Sequence, residues 1–290
     1  MDSRVQAASR RLDTGSPSSL CRRSFLRQSA ASLLAAGLWP GALTARAEVG
    51  NAKAEVFDFA VVNDTHYRDD RCGAYLTEAF KQIQSDSKKP ELVLLAGDLA
   101  TDGRKKELGP MKEILAGVDC PVYTTPGNHD YEPDRSGKQY DEFFPNQRNY
   151  VVEHKGWTIL GFDSTMHTAW VNVAVQPDTL AWLDKTLPKL DPGRPMIIFT
   201  HFPLGDDVRY RSTNADAVLQ RFENHNLKAA FTGHFHGLTE RDHNGVPICG
   251  NRCSSFSRGN HDGSKQKGYF AVSAEPTQVS HAFREFLPSS

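Results

Sequence analysis

Leu92-Val93-Leu94-Leu95-Ala96-Gly97-Asp98 sets the reading of the whole chain: five apolar residues in a row, then a glycine and a carboxylate. A run this short and apolar at every position has the length of a strand buried on both faces. Gly97 lets the backbone turn tightly, so Asp98 is presented just past the strand's carboxyl end, where sites form in open α/β sheets. The same pairing of strand-like run and polar cluster recurs on either side. Residues 56–62 precede Asp64-Thr65-His66, and 121–125 precede Gly127-Asn128-His129-Asp130. Residues 196–199 precede Thr200-His201, and 227–231 precede Gly233-His234-Phe235-His236.

Between these runs lie segments of helical spacing at 74–83, 105–115, 178–187 and 215–223. The opening β-α-β-α-β order favours parallel pairing. Residues 150–153 and 157–162 flank Lys155-Gly156 and read as a hairpin. Short alternating segments at 246–249, 269–272 and 279–286 are expected to pair antiparallel. The pattern predicts an α/β fold of two mixed sheets packed face to face with helices outside.

The N-terminal residues 1–47 have the composition of a targeting segment. Cys21-Arg22-Arg23-Ser24-Phe25-Leu26-Arg27 leads into an apolar stretch at 30–39 and closes on Ala45-Arg46-Ala47, small residues at the positions a signal peptidase reads. This segment resembles a twin-arginine signal, with Cys21 where Ser or Thr is common. The resemblance implies use of an export machinery and a periplasmic or extracellular location. The apolar stretch is too short to span a bilayer, so no stable membrane anchor is expected. Residues 48–290 then form one domain.

A formal net charge of −1, with acids and bases interspersed, leaves no electrostatic footprint for a nucleic-acid polymer. Cys72, Cys120, Cys249 and Cys253 could form disulfides in an oxidising compartment, but their spacing completes no zinc pattern.

The clusters carry hard and borderline metal ligands. If strand geometry continues past residue 62, Asp64 and His66 emerge on the same side and can meet one cation. Asp98 can bridge two cations with its two oxygens, Asn128 offers a neutral oxygen, and His129 beside it projects elsewhere. Nitrogen and oxygen donors without thiolate suit Fe, Mn or Zn, and equally Co or Ni. Two such ions clamp the attacking and leaving oxygens of an in-line displacement and supply a hydroxide at neutral pH. Phosphate esters are the expected substrates.

The ordered series D-x-H, G-D, G-N-H-D, T-H and G-H-x-H resembles the calcineurin-like metallophosphoesterase family. That resemblance implies a four-layer α/β/β/α sandwich and a dinuclear centre. A first metal would be held by Asp64, His66, Asp98 and His236, and a second by Asp98, Asn128, His201 and His234. His129 would stabilise phosphoryl charge or protonate the leaving alkoxide, oriented by a nearby carboxylate, for which Asp102 is taken over Asp130.

Gly97-Asp98-Leu99-Ala100-Thr101-Asp102-Gly103 is similar to the cyclic-nucleotide and glycerophosphodiester hydrolases of that family. Thr200-His201-Phe202-Pro203 departs from many members, which place a second histidine there. The expected activity is hydrolysis of a small phosphodiester by a metal-bound hydroxide. A phosphomonoesterase is the near alternative, and a binding protein that kept the fold is the remote one. His154, His167, His225, His243, His261 and His281 are read as structural or surface residues, His167 alone lying near a strand end. Arg209 and Arg211 sit in a charged loop that is either solvated or able to reach a substrate phosphate; Tyr67 and Arg68 carry the same ambiguity.

Overall fold

Strands form where the apolar runs can be buried on both faces, and alternate residues then enter different layers. The computed structural model describes residues 53–287. Its strands are β1 (Phe57–Val62), β2 (Val93–Ala96), β3 (Val122–Thr125), β4 (Tyr150–His154), β5 (Trp157–Gly161), β6 (Met196–Thr200), β7 (Leu227–Thr232), β8 (Thr239–His243), β9 (Val246–Gly250), β10 (Gly268–Glu275) and β11 (Gln278–Glu285). The helices are α1 (Asp70–Gln84), α2 (Lys105–Ala116), α3 (Lys138–Phe143), α4 (Pro177–Thr186) and α5 (Ala215–Gln220), with short 3₁₀ turns at Asn128–Asp130 and Leu187–Lys189.

Two mixed sheets result, a 5-stranded one in the order β11-β10-β1-β2-β3 and a 6-stranded one in the order β4-β5-β6-β7-β9-β8. In β1, Phe57, Phe59 and Val61 face the second sheet while Ala60 and Val62 pack with α1 and α2. Leu94 and Ala96 of β2 likewise face inward, Val93 and Leu95 outward. Ile197 and Phe199 of β6 meet them, and Met196 and Ile198 turn to the side of α4 and α5. This alternation, with the period of a strand, gives the expected four-layer α/β/β/α sandwich.

Pairing departs from the sequence expectation in one respect. The final segments were expected to be antiparallel, yet β9 runs parallel to β7 and only its other edge meets β8 antiparallel. The hairpin β8–β9 returns the chain in the direction of β5, β6 and β7, so a parallel slot beside β7 is open to β9. Strand β10 pairs antiparallel with β1 and carries the chain's last strand to the first sheet. Neither β8, with its polar sequence Thr-Glu-Arg-Asp-His, nor α3 has a periodicity that announces it. The β4–β5 hairpin turns at Lys155 and Gly156, both at positive φ (47° and 77°), the backbone that two-residue hairpin loops need.

Cys72, Cys120, Cys249 and Cys253 are all free thiols. No helix among the described residues is long and apolar enough to cross a membrane.

Phe231 ties the two sheets together, its ring 5.9 Å from Phe59 and 6.3 Å from Phe270. Phe231→Ala should therefore lower unfolding stability by about 3–5 kcal/mol in urea titrations. Phe256, already 42% exposed, should tolerate the same change within about 0.5 kcal/mol.

Candidate metal centre

The loops that follow β1, β2, β3, β6 and β7 meet at one edge of the sandwich. The first two continue side by side beyond their strands: Asp64 N donates to Gly97 O at 3.0 Å, His66 N to Asp98 O at 2.9 Å and Tyr67 N to Leu99 O at 2.8 Å. Asp64 and His66 do converge, but not by strand alternation. Their φ angles are 54° and 45°, left-handed backbone uncommon in residues with a side chain. Asp98 (54°), His234 (63°) and His236 (48°) share it, so five of the seven expected ligands sit in this region. Clustering of such backbone at one place marks a functional site.

Two glycines make the approach possible. A Cβ at Gly127 would lie 2.1 Å from Asp98 Oδ1, and one at Gly97 would lie 2.6 Å from His201 Nδ1. Gly97 also holds a φ of 78°.

Asp98 is the hinge of the arrangement. Its Oδ2 lies 3.5 Å from His66 Nε2 and its Oδ1 lies 3.4 Å from His201 Nε2. Around the first oxygen gather Asp64, His66 and His236, with His236 Nε2 2.9 Å from Asp64 Oδ1 and 3.4 Å from His66 Nε2. Around the second gather His201 and His234, with His201 Nε2 3.2 Å from both Asn128 Oδ1 and His234 Nδ1. Donors bound to one cation at about 2.0–2.2 Å lie roughly 3 Å apart, so both sets fit a transition-metal ion. All seven side chains are buried.

Backbone carbonyls fix the rings. His201 Nδ1 faces Ala96 O at 2.9 Å, His234 Nε2 faces Trp170 O at 2.9 Å and His236 Nδ1 faces Gly259 O at 3.0 Å. A carbonyl only accepts, so each of these nitrogens carries the proton and the other presents its lone pair to the centre.

For His66 and His234 the electrostatics favour the neutral ring that a ligand needs. Burial alone would raise the Asp64 carboxyl, but His236, His201 and His66 hold it well below the usual range. Burial, then His129 and His236, keeps His66 low, with Arg258 adding to the effect. Burial and His201 bring His234 down to about 3. His236 goes the other way: burial opposes the charge, yet Asp64 raises it to about 11.

His129 stands apart from the two donor sets, half-buried, its ring 4.8 Å from that of His66. Its Nδ1 donates to Thr101 O at 2.6 Å, so a backbone carbonyl occupies the place expected for a carboxylate. Asp102, assigned that role from the sequence, is instead half-exposed and lies 3.9 Å from Arg104. Gly103, at a φ of 62°, follows it in a turn that leaves Thr101 O, rather than the Asp102 side chain, against the imidazole. Asp130 is buried and accepts from Ala100 N and Gly127 N, both at 2.8 Å, tying the loops after β2 and β3 together.

A cavity of about 500 Å³ opens over these groups, with Trp170, Tyr210, Arg258, Asn260 and His261 on its far wall. No motif in the sequence groups these five, and His261 reads there as a structural or surface residue. They come from three loops with no strand-end signature. The only legible hint was the density of aromatic and basic residues in those loops. Arg211 is committed to Asp206 and Asp216, and Arg209 stacks over Tyr210 at 4.6 Å. Arg68 pairs with Asp69, Tyr67 is buried, and His167 is exposed beside Tyr131.

The signature of the calcineurin-like phosphoesterase family matches residues 57–238. The probable glycerophosphodiester phosphodiesterase of Arcobacter nitrofigilis is 31% identical over 153 residues, 49% of this chain and 55% of that protein. The 3',5'-cyclic adenosine monophosphate phosphodiesterase of Haemophilus influenzae is 24% identical over 182 residues, 60% of this chain and 65% of that protein. The chain thus spans less than two thirds of the length of either relative. Among solved structures, the anchor of the inner membrane complex of Plasmodium shares the fold at 15% identity, with a TM-score of 0.58 covering 79% of this chain and 84% of that one.

A methyl group at Gly127 should displace the Asp98 carboxylate. Gly127→Ala is expected to lose bound metal, read by elemental analysis, and to cost about 1–3 kcal/mol of stability. Gly259→Ala, where an added Cβ meets nothing within 4 Å, should keep the metal content of the parent.

Proposed function

The chain belongs to the calcineurin-like phosphoesterase family, and we propose that it is a metal-dependent hydrolase of small phosphate diesters. The observation that carries this reading is the division of Asp98, one oxygen toward each of two donor sets. We assign Asp64, His66, Asp98 and His236 to one ion and Asp98, Asn128, His201 and His234 to the other, with Fe, Mn or Zn suited to such donors. When bound, the ions supply Lewis acidity and activate water at neutral pH.

The protein's own groups do the rest. The carbonyls of Ala96, Trp170 and Gly259 hold the imidazoles in one tautomer. His129, with Nδ1–H on Thr101 O, keeps Nε2 for the ester, where it stabilises charge on the phosphoryl group or passes a proton to the departing alkoxide. The cavity beside it has room for a small alcohol, and the names of the two relatives support a diester over a monoester.

We further infer that residues 1–47 are an export signal and 48–290 the exported domain. The motif Arg22-Arg23-Ser24-Phe25-Leu26, which lies outside the described residues, supports passage by the twin-arginine machinery and action in the periplasm or outside the cell.

Metal-reconstituted protein should hydrolyse bis(p-nitrophenyl) phosphate faster than p-nitrophenyl phosphate, and a chelator should abolish both. His129→Ala should lower kcat by about 10²–10⁴-fold with the metal content intact. Failure to cleave either ester with Mn, Zn or Fe present overturns the reading, and a monoester preference moves the substrate to that class. Replacing Arg22 and Arg23 by Lys should retain the protein in the cytoplasm in cell fractionation; unaffected export removes the twin-arginine assignment.

A further inference from the structure

The loop between β9 and β10 lies beyond the residues matched by the family signature, yet it supplies Arg258, Asn260 and His261 to the far wall of the cavity. It has no helix or strand of its own, and polar contacts hold it in shape. Arg252 Nε donates to Asp262 Oδ2 at 3.0 Å and Cys253 N to Asn260 Oδ1 at 3.1 Å. Asn260 Nδ2 donates to Gln266 O at 2.8 Å, and His261 N to His236 O at 3.0 Å. Lys267 Nζ lies 2.8 Å from Cys253 Sγ and also donates to Arg258 O, while Arg258 N donates to Ser255 Oγ at 3.1 Å.

Arg258 is therefore fixed by its main chain at both its N–H and its C=O. Its guanidinium is not. The side chain is half-buried in the cavity wall, and among the described residues no carboxylate, carbonyl or aromatic face meets it. The other arginines of the chain near this opening are engaged, Arg211 by two carboxylates, Arg252 by Asp262 and Arg209 by the Tyr210 ring. Among the described residues, Arg258 is also the one lysine or arginine that lines this cavity. A half-buried guanidinium with five free N–H donors facing a metal-ligand cluster calls for an anion with paired oxygens.

We propose that Arg258 is a substrate-binding residue, whose guanidinium grips non-bridging oxygens of the phosphoryl group, with Lys267 a positioning residue that holds the Arg258 main chain in place. The assignment rests on the phosphoesterase reading above. It makes the β9–β10 loop this chain's own recognition element, carried outside the region that defines the family. Bidentate contact with two oxygens distinguishes the role from a general positive field, because lysine keeps the charge and loses the fork.

Inorganic phosphate is the probe, titrated calorimetrically into metal-loaded protein, alongside diester kinetics. Arg258→Ala should weaken phosphate roughly 10- to 100-fold and raise KM by a similar factor, with metal content and Tm unchanged. Arg258→Lys should recover part of the loss, and Lys267→Met should weaken phosphate less than Arg258→Ala does. Phosphate affinity and KM equal to the parent in Arg258→Ala, while the parent hydrolyses the diester, overturn the clamp and leave the phosphoesterase reading standing. A parent that neither binds phosphate nor cleaves either ester overturns both.

Discussion

The site depends on one carboxylate being reachable from two sides. Asp98 stands at the end of β2 in the first sheet, and its two oxygens point to two donor sets that each combine residues from both sheets. Asp64 and His66 extend from the neighbouring strand of the same sheet, whereas His201, His234 and His236 follow strands of the second. Only face-to-face packing with the strand ends in line brings these loops within ligand distance. The inter-sheet core of Phe59, Phe231, Leu94 and Phe199 therefore sets the spacing of the donors as well as the stability of the domain.

The arrangement carries local strain. Five ligand positions adopt left-handed backbone, each at a cost on the order of 1–3 kcal/mol for a residue with a side chain. Such geometry persists only where the surroundings determine it. Here the determinants are visible: the paired loops after β1 and β2, the Asp130 carboxylate bridging Ala100 N and Gly127 N, and glycines at the two points of closest approach. A bound cation offsets part of that cost, because it stabilises the folded chain and finds no such site in the unfolded one.

Much of this was legible in the sequence, for reasons that can be traced to particular residues. Leu92 to Ala96 reads as a strand because burial on both faces demands apolar residues throughout, and the ligand clusters read as such because each follows a run of that kind. The layer order follows from alternation within β1, β2 and β6. What escaped was structure with no periodic signature. Strand β8 is polar because it is an edge, α3 is a short turn of helix, and the parallel placement of β9 is decided by the open slot beside β7. The Thr101 carbonyl could not be anticipated as the partner of His129, since every residue has a carbonyl and only the turn at Gly103 selects this one. The five residues of the far cavity wall share no spacing, being gathered from three loops by the fold alone.

The anchoring of the imidazoles has a consequence for how this protein can change over time. Ala96, Trp170, Gly259 and Thr101 act on His201, His234, His236 and His129 through their carbonyl oxygens, a group that every amino acid possesses. Mutation at those four positions can alter the side chain without deleting the acceptor. The orientation of the histidines is thus written into the course of the backbone, and neutral drift around the centre can proceed while its geometry is inherited intact.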